Sequence, residues 1–145
     1  MGALNDEAVE EYCQRVDWFR SVIIGFFDDG VLRGSAEVNF PDGFPFQSEA
    51  AVAVETAWQN HGVATELLRR VLVVARNRAV RGLHITCFGH NYRIQQIAEK
   101  FGARFRRQNG ESEADIPIAA PTYASFCEEA IDDGLGWMNI CFGHR

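Results

Sequence analysis

The residues Gln59-Asn60-His61-Gly62-Val63-Ala64 form a corner suited to holding an anion. They follow a run of small and β-branched residues, Ser48 to Thr56, and open a long apolar-periodic stretch from Val63. A strand that turns directly into a helix presents the first backbone N–H groups of that helix to solvent, with the positive end of the helix dipole behind them. A helix start usually carries a capping Ser, Thr, Asp or Asn. This one enters through Gly62, and neither Gly62 nor Ala64 has a side chain that would block close approach. The pattern Gln/Arg-x-x-Gly-x-Gly/Ala reads as a phosphate cradle, with a tight packing turn as the alternative.

Two other groupings could carry chemistry. Cys-Phe-Gly-His occurs twice, at Cys87–His90 and Cys141–His144. Two Cys-x-x-His pairs suggest zinc, but the first ends a strand in which Cys87 packs as a small apolar residue. The second lies in a tail without period, and no wider repeat surrounds the pair. No metal is expected. Cys87 with His90 as a nucleophile pair lacks a third, orienting residue.

The elements that must position these groups follow from pattern. Residues 5 to 16 read as a short helix capped by Asn5. Ser21 to Phe40 reads as a hairpin turning at Asp29-Gly30, and PDGFPF from Pro41 as a loop. Ser48 to Thr56 reads as a strand buried on both faces. The helix after Gly62 sets Val63, Leu67, Val71, Val74 and Ala75 on one stripe, with Glu66, Arg69, Arg70 and Arg76 on its polar side. LHITCF after Gly82 reads as another buried strand. Asn91 caps a helix that turns Ile94, Ile97, Ala98 and Phe101 inward and stops at Gly102. A second hairpin turns at Asn109-Gly110, and Thr122 to Asp133 reads as a last helix before an irregular tail over residues 134 to 145. Alternating strands and crossover helices predict a mixed α/β plan.

With 145 residues the chain is the size of one domain with a real core. The net charge of −6 argues against a general nucleic-acid binder. No apolar run is long enough to span a membrane, and the acidic N-terminus is unlike a secretory signal. Four cysteines without a C-x-x-C pair fit free thiols in a reducing cytoplasm. The charge is uneven: Arg69 to Arg107 holds ten of the 14 basic residues and one acid, Glu99. That stretch is either a solvated helix face or an attractor for a compact anion such as a nucleotide phosphate.

The hairpin GFFDDGVLRGSAEV, the strand EAAVAVETAW, the corner QNHGVA with ELL after it, the strand LHITCF and the helix NYRIQQIAEKFGA stand in a particular order and spacing. Together, over roughly Ser21 to Ile118, they resemble the GNAT superfamily of acyl-CoA-dependent N-acetyltransferases. The resemblance implies an α+β fold with a single mixed, mostly antiparallel sheet flanked by helices. It implies acetyl-CoA as co-substrate, with Gln59, Asn60, His61, Gly62, Val63, Ala64 and Thr65 cradling the pyrophosphate through backbone amides. Val52, Ala53 and Val54 would lie where the strand splays from LHITCF and would pair with the amides of pantetheine. Asn91 would reach the pantetheine arm, and Arg69, Arg70 or Arg93 would meet the adenosine-side phosphates.

The implied reaction is direct attack of a primary amine on the thioester carbonyl. A typical alkylamine titrates near pH 10, so it must lose a proton first. The oxyanion needs a donor, for which a backbone N–H near Val54 is suited. Glu49 and Glu55, at either end of the strand, and His90 are the candidate bases; Glu49 resembles the acid often found at the start of this strand in the family. Phe44, Phe46 and Trp58 either pack or line an acceptor pocket. Acceptors would be small-molecule or peptide amines.

Three departures stand out. Many family members place a Tyr, the acid for the leaving thiolate, seven residues after the Asn; here it is Ala98. The family's first strand and helix are not recognisable ahead of residues 5 to 16, which leaves the substrate wall incomplete: either a partner chain, such as a second copy in a homodimer, supplies them or the sequence is an N-terminally shortened form. Ala79 stands where a Gly often turns the chain. The first two leave a second reading open, a non-catalytic acyl-CoA-binding or regulatory module.

Overall fold

The computed structural model describes residues 10–11, 14–15, 17, 19–41, 47–88 and 91–142, with the side chains of 87, 88 and 135–142 excepted. The helix expected over residues 5 to 16 falls largely outside these residues; positions 10, 11, 14 and 15 within it are helical. The loop aromatics Phe44 and Phe46 also lie outside them.

Among the described residues six strands form one sheet: β1 (Ser21–Asp28), β2 (Val31–Asn39), β3 (Gln47–Val54), β4 (Gly82–Phe88), β5 (Arg104–Gln108) and β6 (Glu111–Pro117). Their order is β1-β2-β3-β4-β6-β5. Only β3 and β4 pair in parallel. Helices α1 (Val63–Asn77), α2 (Tyr92–Lys100) and α3 (Tyr123–Phe142) accompany them. The mixed, mostly antiparallel sheet expected from the sequence is what the chain forms.

Both hairpins turn where Asp-Gly and Asn-Gly stand. Asp29 and Gly30 have φ 47° and 76°, and Asn109 and Gly110 φ 51° and 83°, the paired positive values of a tight hairpin turn. The parallel β3–β4 pair needs a crossover, and α1 supplies it. The predicted stripe of α1 is buried throughout, and Leu68 and Val73 join it. It packs on β1, β2 and β3, with α2 and α3 beside it. The core is this helix stripe against Ala36, Val38, Ala50, Leu83, Ile85, Ala114 and Ile116 of the sheet.

Two expectations need correction. The strand over Ser48 to Thr56 is not buried on both faces. Ser48 and Ala50 are buried, but Gln47, Glu49, Ala51 and Ala53 are exposed. LHITCF alternates likewise, with Leu83 and Ile85 buried, His84 half-buried and Thr86 exposed. Small residues such as Ala fit an open face as readily as a covered one, so composition could not tell them apart. The tail is the second correction: the last helix runs on to Phe142 rather than ending at Asp133. Gly134 and Gly136 weaken a helix by about 1 kcal/mol each relative to Ala, but only Pro removes a backbone bond. No helix among the described residues is long and apolar enough to cross a membrane.

Candidate functional site

The two central strands part company halfway. β3 and β4 pair only from Gln47↔Gly82 to Ala50↔Ile85. Beyond that point Ala51 to Val54 stay with β2, while Thr86 to Phe88 stay with β6. A V-shaped notch opens between them, its apex at Ala50 and Ile85. At its wide end stand the starts of α1 and α2, since each helix begins close after its strand ends.

The backbone lining of the notch follows from one peptide plane. Glu55 N–H donates to the Arg33 carbonyl of β2 at 2.9 Å. A trans peptide turns the attached Val54 carbonyl the opposite way, into the notch. By the two-residue period of a strand, Val52 and Val54 offer their backbone groups to the notch and Ala53 offers its own to β2. The Val54 carbonyl accepts a bond from Gln59 Nε2 at 3.2 Å.

The corner is built as an open helix start. Asn60 has φ 64° and Gly62, the cap residue of α1, φ 79°. Gly62 makes no side-chain cap bond, so the first N–H groups of α1 keep their donors open. A Cβ placed on Gly62 would meet nothing within 4 Å; the left-handed backbone demands glycine, and the space above it is clear. Val63 is buried, Ala64 and Thr65 half-buried, and His61 turns back so that its Nδ1 lies 2.8 Å from the Gln59 carbonyl. Asn91 caps α2 by accepting from Ile94 N–H at 3.5 Å.

The three candidate arginines separate cleanly. Arg69 is bound by Glu66, Glu128 and Asp132, and Arg70 by Glu66. These pairs hold the Glu66 carboxyl down at about 2, chiefly through Arg69 and then Arg70, and neutralise an acid that would otherwise repel a phosphate. Arg93 alone of the three meets neutral groups. Its Nη1 donates to Gln59 Oε1 at 3.1 Å. With the Asn60 amide turned to match donor with acceptor, both Nη atoms donate to its oxygen at 3.2 Å.

The candidate bases fall in different places. Glu55 is committed to Arg33, whose Nη1 lies 3.0 Å away and whose guanidinium stacks over Trp58. His90 lies outside the described residues. Glu49 is exposed, one step from the apex, and forms no hydrogen bond or ion pair among the described residues. It shares an open cleft of about 420 Å³ with Asn39, Pro41, Gln47 and His84. Trp58 is half-buried and packs edge-on against Phe26 at 5.6 Å.

The sequence reading missed His84 and its setting. His84 is the cross-strand partner of Glu49 on β3 and of Asp115 on β6. Its Nδ1 lies 3.0 Å from Asp115 Oδ1, and its Nε2 lies 3.4 Å from Thr86 Oγ1. Gln47 Nε2 donates to the same Asp115 oxygen at 3.0 Å. The hydrogen bond from His84, then that from Gln47, holds the Asp115 carboxyl below its usual value. The alternation in LHITCF already set His84 opposite Leu83 and Ile85. What could not be read is that β6 slots in beside β4.

Ala98, where a Tyr was looked for, is fully buried in the core. Tyr92, at the start of α2, is exposed and lies under the guanidinium of Arg107. No metal-binding group of His, Cys, Asp and Glu forms among the described residues; the Cys and His side chains of both Cys-Phe-Gly-His motifs lie outside them.

No curated protein matches the chain in sequence. Solved structures match its fold. The GNAT domain of S. lividans PAT superposes with a TM-score of 0.67 at 21% identity, covering 79% of this chain and 70% of that one. The structure of yncA from Salmonella typhimurium, solved with its cofactor acetyl-CoA, gives 0.64 at 21% over 81% and 78%. The ribosomal-protein-S18-alanine N-acetyltransferase from Escherichia coli gives 0.65 at 14% over 79% of each. The model of the Acetyltransferase (GNAT) family matches residues 2–103, and with the notch and open helix start this chain belongs to that family.

Proposed function

We propose that the protein transfers an acetyl group from acetyl-CoA to a primary amine by direct attack. The observation that carries this reading is the notch: splayed strand edges leading from an uncapped helix start to an apex beside a carboxylate, Glu49, with no partner among the described residues. The corner fits a pyrophosphate, with open N–H groups of α1, clear space above Gly62 and the cation of Arg93. The Val52 and Val54 backbone groups fit the amides of an extended arm, which takes over the Val54 carbonyl from Gln59. Acetyl-CoA would supply the activated acyl group; the protein holds it and receives the amine. Of the expected proton acceptors, Glu49 is the described residue that stands at the apex with no other partner, and its negative charge draws a cationic amine into the cleft.

A non-catalytic CoA-binding module is the second reading. Ala98 supports it, because a buried methyl cannot protonate a leaving thiolate. One experiment separates the two. Thermal unfolding with CoA at 100 times its dissociation constant should show about 2.7 kcal/mol of added stability. No shift up to millimolar CoA removes both readings. With binding established, thiol release from acetyl-CoA across a panel of amines identifies an enzyme, and its absence identifies the module.

A further inference from the structure

We infer that His84, oriented by Asp115, is the group that takes the proton from the attacking amine, with Glu49 beside it holding the amine's charge. The inference rests on the acetyl-transfer reading and adds the residues that would serve its acceptor side.

The geometry fixes which nitrogen of His84 is free. An ionised carboxylate only accepts hydrogen bonds. Asp115 Oδ1, 3.0 Å from Nδ1 and also receiving Gln47, is such an acceptor. The Nδ1 atom therefore carries the hydrogen, and the neutral ring keeps an unshared pair on Nε2. Among the described residues the hydrogen-bonding contact of that nitrogen is the Thr86 hydroxyl, at a long 3.4 Å. A base whose far nitrogen is fixed by a carboxylate has the orientation that proton transfer requires.

Position supports the same role. His84 precedes Ile85, the last β4 residue paired to β3, so it adjoins the apex where the strands part. It lies on the open face, in the cleft shared with Glu49 and Asn39. Strands in a sheet run about 4.8 Å apart, which sets the Glu49 and His84 side chains next to each other. The pair divides the work: a carboxylate attracts an ammonium, and an imidazole accepts a proton near neutral pH.

The step balances without a further reactant. An ammonium proton passes to His84 Nε2, and the freed nitrogen pair forms the N–C bond to the thioester carbonyl. The C–S bond breaks with its electrons on sulfur. The extra proton on the attacking nitrogen goes to that sulfur, and His84 releases its own to solvent. The sum is ammonium plus acetyl-CoA giving amide, free thiol and one proton.

The test combines three measurements on the full chain. Two-bond 1H–15N correlation of the His84 ring should show Nδ1–H with Nε2 bare, a preference that Asp115→Asn weakens. The reverse tautomer overturns the inference. Thiol release from acetyl-CoA is then followed with ethylamine, putrescine and a lysine peptide, and with hydroxylamine, which is already neutral at pH 7. His84→Gln should slow the charged amines about 10²–10⁴-fold and hydroxylamine much less, and should remove the acidic limb of the kcat/KM profile. That limb is set among Glu49 on β3, Asp115 and Glu113 on β6, and Arg104 and Arg106 on β5. Glu49→Gln should raise KM for the charged amines more than it lowers kcat. Turnover by His84→Gln within threefold of the parent, or equal slowing of all four nucleophiles, overturns the inference and leaves acetyl transfer standing. Calorimetry with CoA, which His84→Gln should leave unchanged, keeps the two apart. A parent chain that binds no CoA defeats the acetyltransferase reading itself. One that binds CoA but releases no thiol with any of the four overturns both catalytic statements and leaves the binding module.

Discussion

Arg93 reaches across the mouth of the notch to Gln59, Nη1 to Oε1 at 3.1 Å, while Gln59 Nε2 holds the Val54 carbonyl at 3.2 Å. The three groups form a strap from α2 to β3 over the place where an extended ligand would lie. Arg93 keeps its whole charge in this arrangement, because its partners are amides. Arg69 and Arg70 are charged too, but carboxylates offset them: Glu66, Glu128 and Asp132 on Arg69, and Glu66 on Arg70.

Arg93→Ala should therefore weaken CoA binding by about 1.5–3 kcal/mol, the range of a hydrogen bond to a charged group. Calorimetric titration checks this, with pantetheine as the control: it lacks the phosphates, and its affinity should not fall. Arg70→Ala should change CoA affinity by less than threefold. A loss on Arg70→Ala equal to that on Arg93→Ala would refute the assignment.

The turn after α1 carries a cost that can be relieved. Ala79 adopts φ 58°, the left-handed conformation in which a Cβ costs about 1–2 kcal/mol. Glycine removes that strain but gives back about 0.4–1 kcal/mol through the greater freedom of its unfolded chain. The expected net effect of Ala79→Gly is stabilisation of about 0.5 kcal/mol, read as a raised urea midpoint with an unchanged m-value. A lowered midpoint would show that the turn is not strained.

Arg69 ties the last helix to the first. It bonds Glu66 within α1 and reaches Glu128 and Asp132 of α3, the latter at 2.7 Å and mostly buried. Glu66 titrates at about 2 in the folded chain, against 4.5 ordinarily. Its folded value is depressed, so the stability it contributes is complete above about pH 4.5 and is lost as the pH falls toward about 2. Acid should therefore weaken the fold in that window, seen as a urea midpoint that falls as the pH drops from about 4.5 toward about 2. Arg69→Ala should cost about 1–2 kcal/mol, between an exposed and a buried pair, and should flatten that part of the acid profile.

Much of the fold was legible because local chemistry decides it. Asp-Gly and Asn-Gly fix two hairpins, Gly62 and Gly102 bound two helices, and the stripe Val63, Leu67, Val71, Val74 and Ala75 names its own buried face. The corner was legible for the same reason. Partnerships between distant segments were not. Nothing local to Glu55 says that Arg33 of β2 will claim it, and nothing in LHITCF says that Asp115, 31 residues on, will face His84. The sheet decides both, the first by pairing β2 with β3 and the second by inserting β6 between β4 and β5. The face left open on β3 was hidden by its alanines, which carry no sign of which side meets water.

The Glu55–Arg33 pair gives the last prediction, because it separates two carboxylates that stand toward opposite ends of one strand. Glu55 fastens the end of β3 to β2 twice, through its backbone N–H to the Arg33 carbonyl and through its carboxylate to the Arg33 guanidinium at 3.0 Å. Glu55→Gln keeps the backbone bond and loses an exposed ion pair, so stability should fall by about 1 kcal/mol or less. Glu49→Gln removes a carboxylate with no described partner, so stability should hold while kcat/KM for a charged amine drops tenfold or more. The two variants should thus trade places between a melting curve and a thiol-release assay. Equal activity losses in both would mean that the notch end of β3, rather than the charge at its apex, limits turnover.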